Sequence, residues 1–157
     1  MSIYQRIKQD HDKHRKLLDI LLDTSGDSKQ RQDAWNQFYY DVKAHAAAEE
    51  QTLYADLIAT EEGQPDARHS VHEHQKLDKL MDELNEMDMS SPGWLNRFKT
   101  LVHDYKHHME EEENDIFPRA KEEVGSDETE NKAKLFEHRK REERELVDEK
   151  DESALTH

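Results

Sequence analysis

The sequence contains no cysteine, and that absence excludes disulfide staples, thiolate metal sites and thiol catalysis. Glycine and proline are also scarce, four and three residues in 157, so little in the chain interrupts long helices. No apolar run is long enough to span a bilayer, and the opening MSIYQRIKQDHDKHR is too polar for a signal peptide. The expectation is a cytoplasmic protein. Positive charge is short as well: 23 Lys and Arg against 38 Asp and Glu give a formal net charge of −15. Binding to nucleic acid or an anionic membrane needs a basic patch, so neither is an expected partner.

What remains is a mixed-charge chain, 39% charged and 32% hydrophobic, whose apolar residues recur at helical spacing. Ile7, His11, His14, Leu18 and Leu21 fall on one face and predict a helix over about 2–23. TSGDS at 24–28 is a turn with capping groups. A second helix is predicted from about 29 to 61, with Trp35, Phe38, Val42, His45, Glu49 and Leu53 on its inner face. Pro65 suits the first turn of a third helix reaching about 88, and Pro92 opens a fourth. That fourth helix carries Leu101, Tyr105, His108, Glu112 and Ile116 inward, and Pro118 is expected to bend or end it. After Gly125 and Ser126, a thin stripe of Leu135, the Arg139 stem, Leu146 and Val147 predicts a fifth, peripheral helix.

The segment HAAAEEQTLY at 45–54 returns as HMEEEENDIF at 108–117, an offset of 63 residues. The same offset pairs His11 with His74, Asp10 with Glu73, Leu18 with Met81, Trp35 with Phe98, Asp41 with Asp104, Glu49 with Glu112, Glu50 with Glu113 and Tyr54 with Phe117. No gap is required. The first four helices therefore read as two copies of a helical hairpin, neither able to bury its apolar face alone. The expected fold is all-α: an up-down four-helix bundle of two pseudo-symmetric hairpins over residues 1–124, with a charged C-terminal helix or tail over 125–157.

Only two histidine pairs survive the repeat. Residues four apart share a helix face, so His45 with Glu49 and His108 with Glu112 aim an imidazole and a carboxylate at a common point. His11 and His74 lie on the core faces of the other two helices. Four His and two Glu inside a bundle would be costly without a partner, and a metal centre resolves that cost. If both carboxylates bridge, each of two ions gains two imidazoles and keeps open positions. Nitrogen and oxygen donors without sulfur suit Fe, Mn or Zn, and bridging carboxylates with imidazole favour a pair of Fe ions, with Mn as the alternative. No phosphate loop, nucleophile elbow or H-E-x-x-H pair is present, nor is the Glu-x-x-His arrangement of ferritin-type bundles.

The DHDKH stretch at 10–14, HAAAEEQTLY, EHQKL at 73–77 and HMEEEENDIFP together resemble the hemerythrin-like, or HHE cation-binding, domain over about residues 1–120. The resemblance implies a four-helix bundle with a non-haem di-iron centre. His11, His45, His74 and His108 would then be terminal metal ligands, and Glu49 and Glu112 bridging ones. The chain departs from the oxygen-carrying members at Ser70, where they place a further histidine, and at Glu112, where they place an aspartate one residue on. The implied role is a module that binds O2, NO, peroxide or iron for sensing, binding or storage. The alternative is a di-iron enzyme acting on peroxide or NO, or in repair of damaged iron centres.

Other histidines read more plainly. His14, one turn beyond His11, is expected to be partly buried or an outer donor rather than a ligand. Tyr105 reads as a core tyrosine with a satisfied hydroxyl. His69, His72, His103 and His107 read as exposed, and EEEEND at 110–115 as a solvated face whose Glu113 helps attract cations.

Overall fold

The computed structural model describes residues 1–124 and 129–155, with side chains as far as 146 apart from that of 129. Ser2 caps helix α1 (Ile3–Leu22): its hydroxyl accepts from the Gln5 amide while the Gln5 side chain accepts from the Ser2 amide. A turn follows in which Gly26 takes φ +59°, a left-handed conformation that a side chain disfavours. Ser28 then caps α2 (Lys29–Glu49). The second hairpin joins α4 (Gln64–Glu86), with Pro65 in its first turn, to α5 (Pro92–Glu111). Gly63, just before α4, is packed so closely that a Cβ there would meet the Leu57 carbonyl oxygen at 2.5 Å.

Helix α1 packs on α2 and α5, and α4 on α5 and α2, which closes the four into a ring. The inner faces are those read from the periodicity: Ile7, His11, His14, Leu18 and Leu21 on α1 are all fully buried. Two apolar clusters fill the bundle. One holds Leu18, Leu21, Trp35, Phe38, Met81 and Leu84 with Trp94 and Phe98 of α5. Trp94 and Phe98 stack with centroids 5.3 Å apart, and Trp35 meets Trp94 edge-on at 5.6 Å. The other gathers Ile3, Tyr4, Ile7, Leu53, Leu57, Ile116, Phe117 and Phe136. A polar layer lies among these apolar groups. Buried Arg31 joins the two hairpin turns, donating to the Thr24 hydroxyl and carbonyl and to the Met89 carbonyl while lying over the Trp94 ring.

Three local expectations are corrected. The second helix does not run as unbroken α-helix to 61: it passes at Glu50–Tyr54 into a π-helical turn and resumes as the short α3 (Ala55–Ile58). Of the two outcomes expected at Pro118, bending or ending the fourth helix, ending does not occur: a second π turn at Glu112–Ile116 precedes it and the chain continues as α6 (Phe117–Val124). The wider coil of a π turn shifts the hydrogen-bond pairing just where proline withdraws its amide. Helix α7 (Thr129–Leu155) lies outside α1 and α2 as a peripheral helix, but on a different stripe from the one expected. Ala133 and Phe136 are buried and Lys140 nearly so, whereas Leu135 and Leu146 are exposed. The stripe joins Ala133 and Phe136, packed in the apolar cluster, to Lys140, which reaches the acidic groups on α1 and α2. Val147, Gly125 and Ser126 lie outside the described side chains.

Phe98 is fully buried against both tryptophans, so Phe98→Ala should lower the unfolding free energy by about 3–5 kcal/mol. Urea denaturation followed by circular dichroism should show an earlier midpoint at unchanged slope.

Candidate metal centre

Both π turns begin at or just after the glutamate of the repeated motif, at Glu50 and Glu112. Turns of this kind locally re-aim side chains and are common at functional sites. Here all six residues singled out in the sequence converge: His11, His45, Glu49, His74, His108 and Glu112 are buried at one level of the bundle. Each hairpin contributes a histidine pair, His11 with His45 at 5.4 Å between ring centroids and His74 with His108 at 5.0 Å.

The carboxylates cross between the hairpins. Glu49 turns Oε2 to Nε2 of His45 at 3.0 Å, within its own hairpin, and Oε1 to Nε2 of His74 at 3.3 Å, in the other. Glu112 Oε1 lies 2.8 Å from Nε2 of His108 and 3.5 Å from Nε2 of His11. Its Oε2 accepts from the Tyr54 hydroxyl at 2.5 Å. Two groups of donors bring their ligand atoms within 4.8 Å of one another: Glu49, His74, His108 and Glu112, and, beside it, His11, His45 and Glu49. Glu49 belongs to both.

The fit to a cation rests on atoms without partners. Among the described residues, Nε2 of His11, His45 and His108, both Glu49 oxygens and Glu112 Oε1 are buried with no hydrogen-bond partner. Donors about 2.0–2.2 Å from a cation and at right angles about it stand about 3 Å apart. The separations above fall around that value. A nitrogen and oxygen set of this kind suits Fe, Mn or Zn.

Outer groups hold the inner ones. Nδ1 of His45 donates to Asp10 Oδ2 at 2.7 Å, and Asp10 is held by Arg6 at 2.7 Å and Lys140 at 3.0 Å. Nδ1 of His11 meets Glu113 Oε2 at 3.0 Å, and Arg15 pairs with Glu113. His14 is fully buried rather than partly so. Its Nε2–H donates to Asp41 Oδ2 at 2.6 Å, and its Nδ1 accepts from the Tyr105 hydroxyl at 2.7 Å. With both nitrogens engaged, His14 offers none to an ion.

Charge follows this architecture. Burial disfavours protonation of His11, yet Glu112 and Glu113 push its pKa up to about 9. Against the same burial penalty, Glu49 and Glu50 push His74 up to about 10. For His14 burial wins over Asp41, and its pKa falls to about 4, leaving the ring neutral at pH 7. Asp10 and Asp41 stay well below the usual carboxylate range despite burial, Asp10 chiefly through His45 and Asp41 through His14 and Lys140. Burial and the nearby Glu49 and Glu112 raise Tyr105 well above its ordinary value, so its hydroxyl remains a donor.

The sequence reading passed over Asp10, Asp41, Tyr54 and Lys140. A signal existed for the first two: acidic residues recurring at the 63-residue offset, as Asp10 with Glu73 and Asp41 with Asp104. Tyr54 and Lys140 left none, since Tyr54 pairs with a phenylalanine in the repeat and Lys140 stands in a run of charges. His69, His72, His103 and His107 are exposed, as expected.

A bundle of four helices around a buried layer of histidines and carboxylates defines a helical cation-binding module. The chain belongs to the hemerythrin HHE cation-binding domain family, which it matches over residues 2–120. The fold is shared with a hemerythrin HHE cation-binding domain-containing protein of Mycobacterium kansasii, at a TM-score of 0.80 and 20% identity, over 93% of this chain and 89% of that one. The chain is also 29% identical over 136 residues to a protein of Nostoc sp. (strain PCC 7120) described as a DNA nickase. That alignment takes in 87% of this chain but 38% of the relative's length. Among the described residues no helix is long and apolar enough to cross a membrane.

The raised histidines predict the pH response of the metal-free protein. Their pairing with carboxylates contributes fully below the unfolded histidine pKa of about 6.5. It is lost as pH rises through about 9 for His11 and about 10 for His74. Thermal melts of chelator-stripped protein should show the melting temperature falling from pH 7 to pH 10. A metal-loaded sample should resist that fall, since cations bind neutral imidazoles and replace the protons.

Proposed function

We propose that the chain is a hemerythrin-like di-iron module, with manganese as the alternative metal, that takes up O2, NO, peroxide or iron itself for sensing, binding or storage. In this reading His11, His45, His74 and His108 are terminal ligands, and Glu49 and Glu112 bridge. The observation that carries it is the set of buried nitrogen and oxygen atoms that face one another at one level yet make no hydrogen bond. When bound, an iron pair would supply redox-active positions for a small ligand. An enclosed cavity of about 10 Å3, room for one water-sized molecule, adjoins the layer and is lined by His45, His74, His108, Tyr105 and Glu112. The net charge of −15 weighs against nucleic acid as a partner, so the nickase description stays with the Nostoc protein.

A second reading, an enzyme reducing peroxide or NO, is favoured by one observation. Tyr105 at the cavity, neutral His14 and Asp41 form a hydrogen-bonded chain, and Asp41 meets the half-exposed Lys13 at 3.2 Å. Such a chain leads protons from the surface toward the cavity. Catalytic loss of peroxide or NO by the loaded protein, abolished in Tyr105→Phe, would promote this reading; stable binding without turnover supports the module.

The metal assignment is tested by Glu49→Ala and Glu112→Ala. Each should lose iron by elemental analysis and lower the melting temperature of iron-loaded protein, because occupancy and folding are coupled. Full iron content in both variants would overturn the bridging assignment.

A further inference from the structure

The two hairpins repeat the inner residues but not the groups that hold them. In the first, Nδ1 of His45 is bonded to Asp10, and Asp10 is clamped by Arg6 and by Lys140 of α7. Nδ1 of His11 is bonded to Glu113, which Arg15 clamps in turn. In the second, Nδ1 of His108 and of His74 are buried without a hydrogen-bond partner among the described residues. The counterpart of Asp10 is Glu73, which turns instead toward exposed His69 at 3.5 Å. The counterpart of Glu113 is Glu50, whose Oε1 stands 3.7 Å from Nδ1 of His74, beyond hydrogen-bond range. Arg15, the cation that clamps Glu113, is replaced in the repeat by Asp78, which repels Glu50 rather than holding it.

A carboxylate accepting from the far nitrogen of a metal-bound imidazole fixes the ring and raises its basicity; losing such a partner costs about 10–100-fold in affinity. Both rings of the first hairpin have this support as a hydrogen bond; in the second, His108 has none and His74 only the longer contact with Glu50. We infer that the pair of ions is held unequally, with a tight position at His11 and His45 and a loose, exchangeable one at His74 and His108. The inference rests on the two-ion reading above. It also makes α7, which lies beyond residues 2–120 of the family match, a contributor to the tight position through Lys140 and through Phe136, whose ring meets His45 edge-on at 5.4 Å. Asp10, Glu113 and Lys140 are positioning residues in this scheme.

The test uses the full chain loaded with iron(II) under anaerobic conditions and then mixed with an excess of a coloured iron(II) chelator. Two phases of equal amplitude are expected, one fast and one slow. Asp10→Asn and Glu113→Gln should each speed the slow phase by about 10–100-fold and leave the fast phase alone, while Glu50→Gln should leave the slow phase alone. Glu113 is partly exposed, so its variant is the safer fold, and a melting curve accompanies each protein. A single phase releasing both irons, or acceleration confined to the fast phase, would overturn the inference while leaving the two-ion reading standing. Binding of fewer than two irons by the unaltered chain would overturn that reading and the inference with it.

Discussion

The structure depends on a carboxylate that is fully buried and makes no hydrogen bond among the described residues. Glu49 is fully enclosed, and each of its oxygens faces an imidazole of a different hairpin. A lone carboxylate in such a place would be several kcal/mol out of balance. Balance comes only if both hairpins close around it with their histidines at one height, so the register of the whole bundle is tied to this contact. Glu112 repeats the arrangement from the other side, with Tyr54 engaging its second oxygen.

Apolar packing makes that tie affordable. The cluster built on Trp35, Trp94 and Phe98 and the cluster built on Leu53, Phe117 and Phe136 enclose the polar layer. They exclude water, and exclusion strengthens each charge interaction inside. At the π turns Glu50–Tyr54 and Glu112–Ile116 the apolar cover continues directly from the carboxylates, with Leu53 and Ile116 buried one turn beyond Glu49 and Glu112.

The chain is otherwise an acidic molecule that reserves its cations for particular tasks. Arg6, Arg15 and Lys140 each meet a carboxylate that contacts a histidine of the layer or its neighbour. These pairs are partly buried, where screening by salt is weaker than at the surface. Surface pairs such as Lys8 with Asp12 contribute little by comparison.

Much of this was legible in the sequence. Helical spacing placed Ile7, His11, Leu18 and Leu21 inside, and the 63-residue offset, joined to the four-residue spacing of histidine and glutamate, singled out four of eleven histidines and two glutamates. Periodicity carries such information because a helix face is a local property, decided by residues three and four apart. Which nitrogen meets which oxygen is not local. The partners of His45, His14 and Glu112 come from 35, 27 and 58 residues away, and Lys140 reaches Asp10 across 130. The composition and repeat determined a bundle with a histidine and carboxylate layer; only the packing of the helices decided that the outer nitrogens of one half are hydrogen-bonded to carboxylates and those of the other half are not, because such bonds depend on distances that no spacing along the chain encodes.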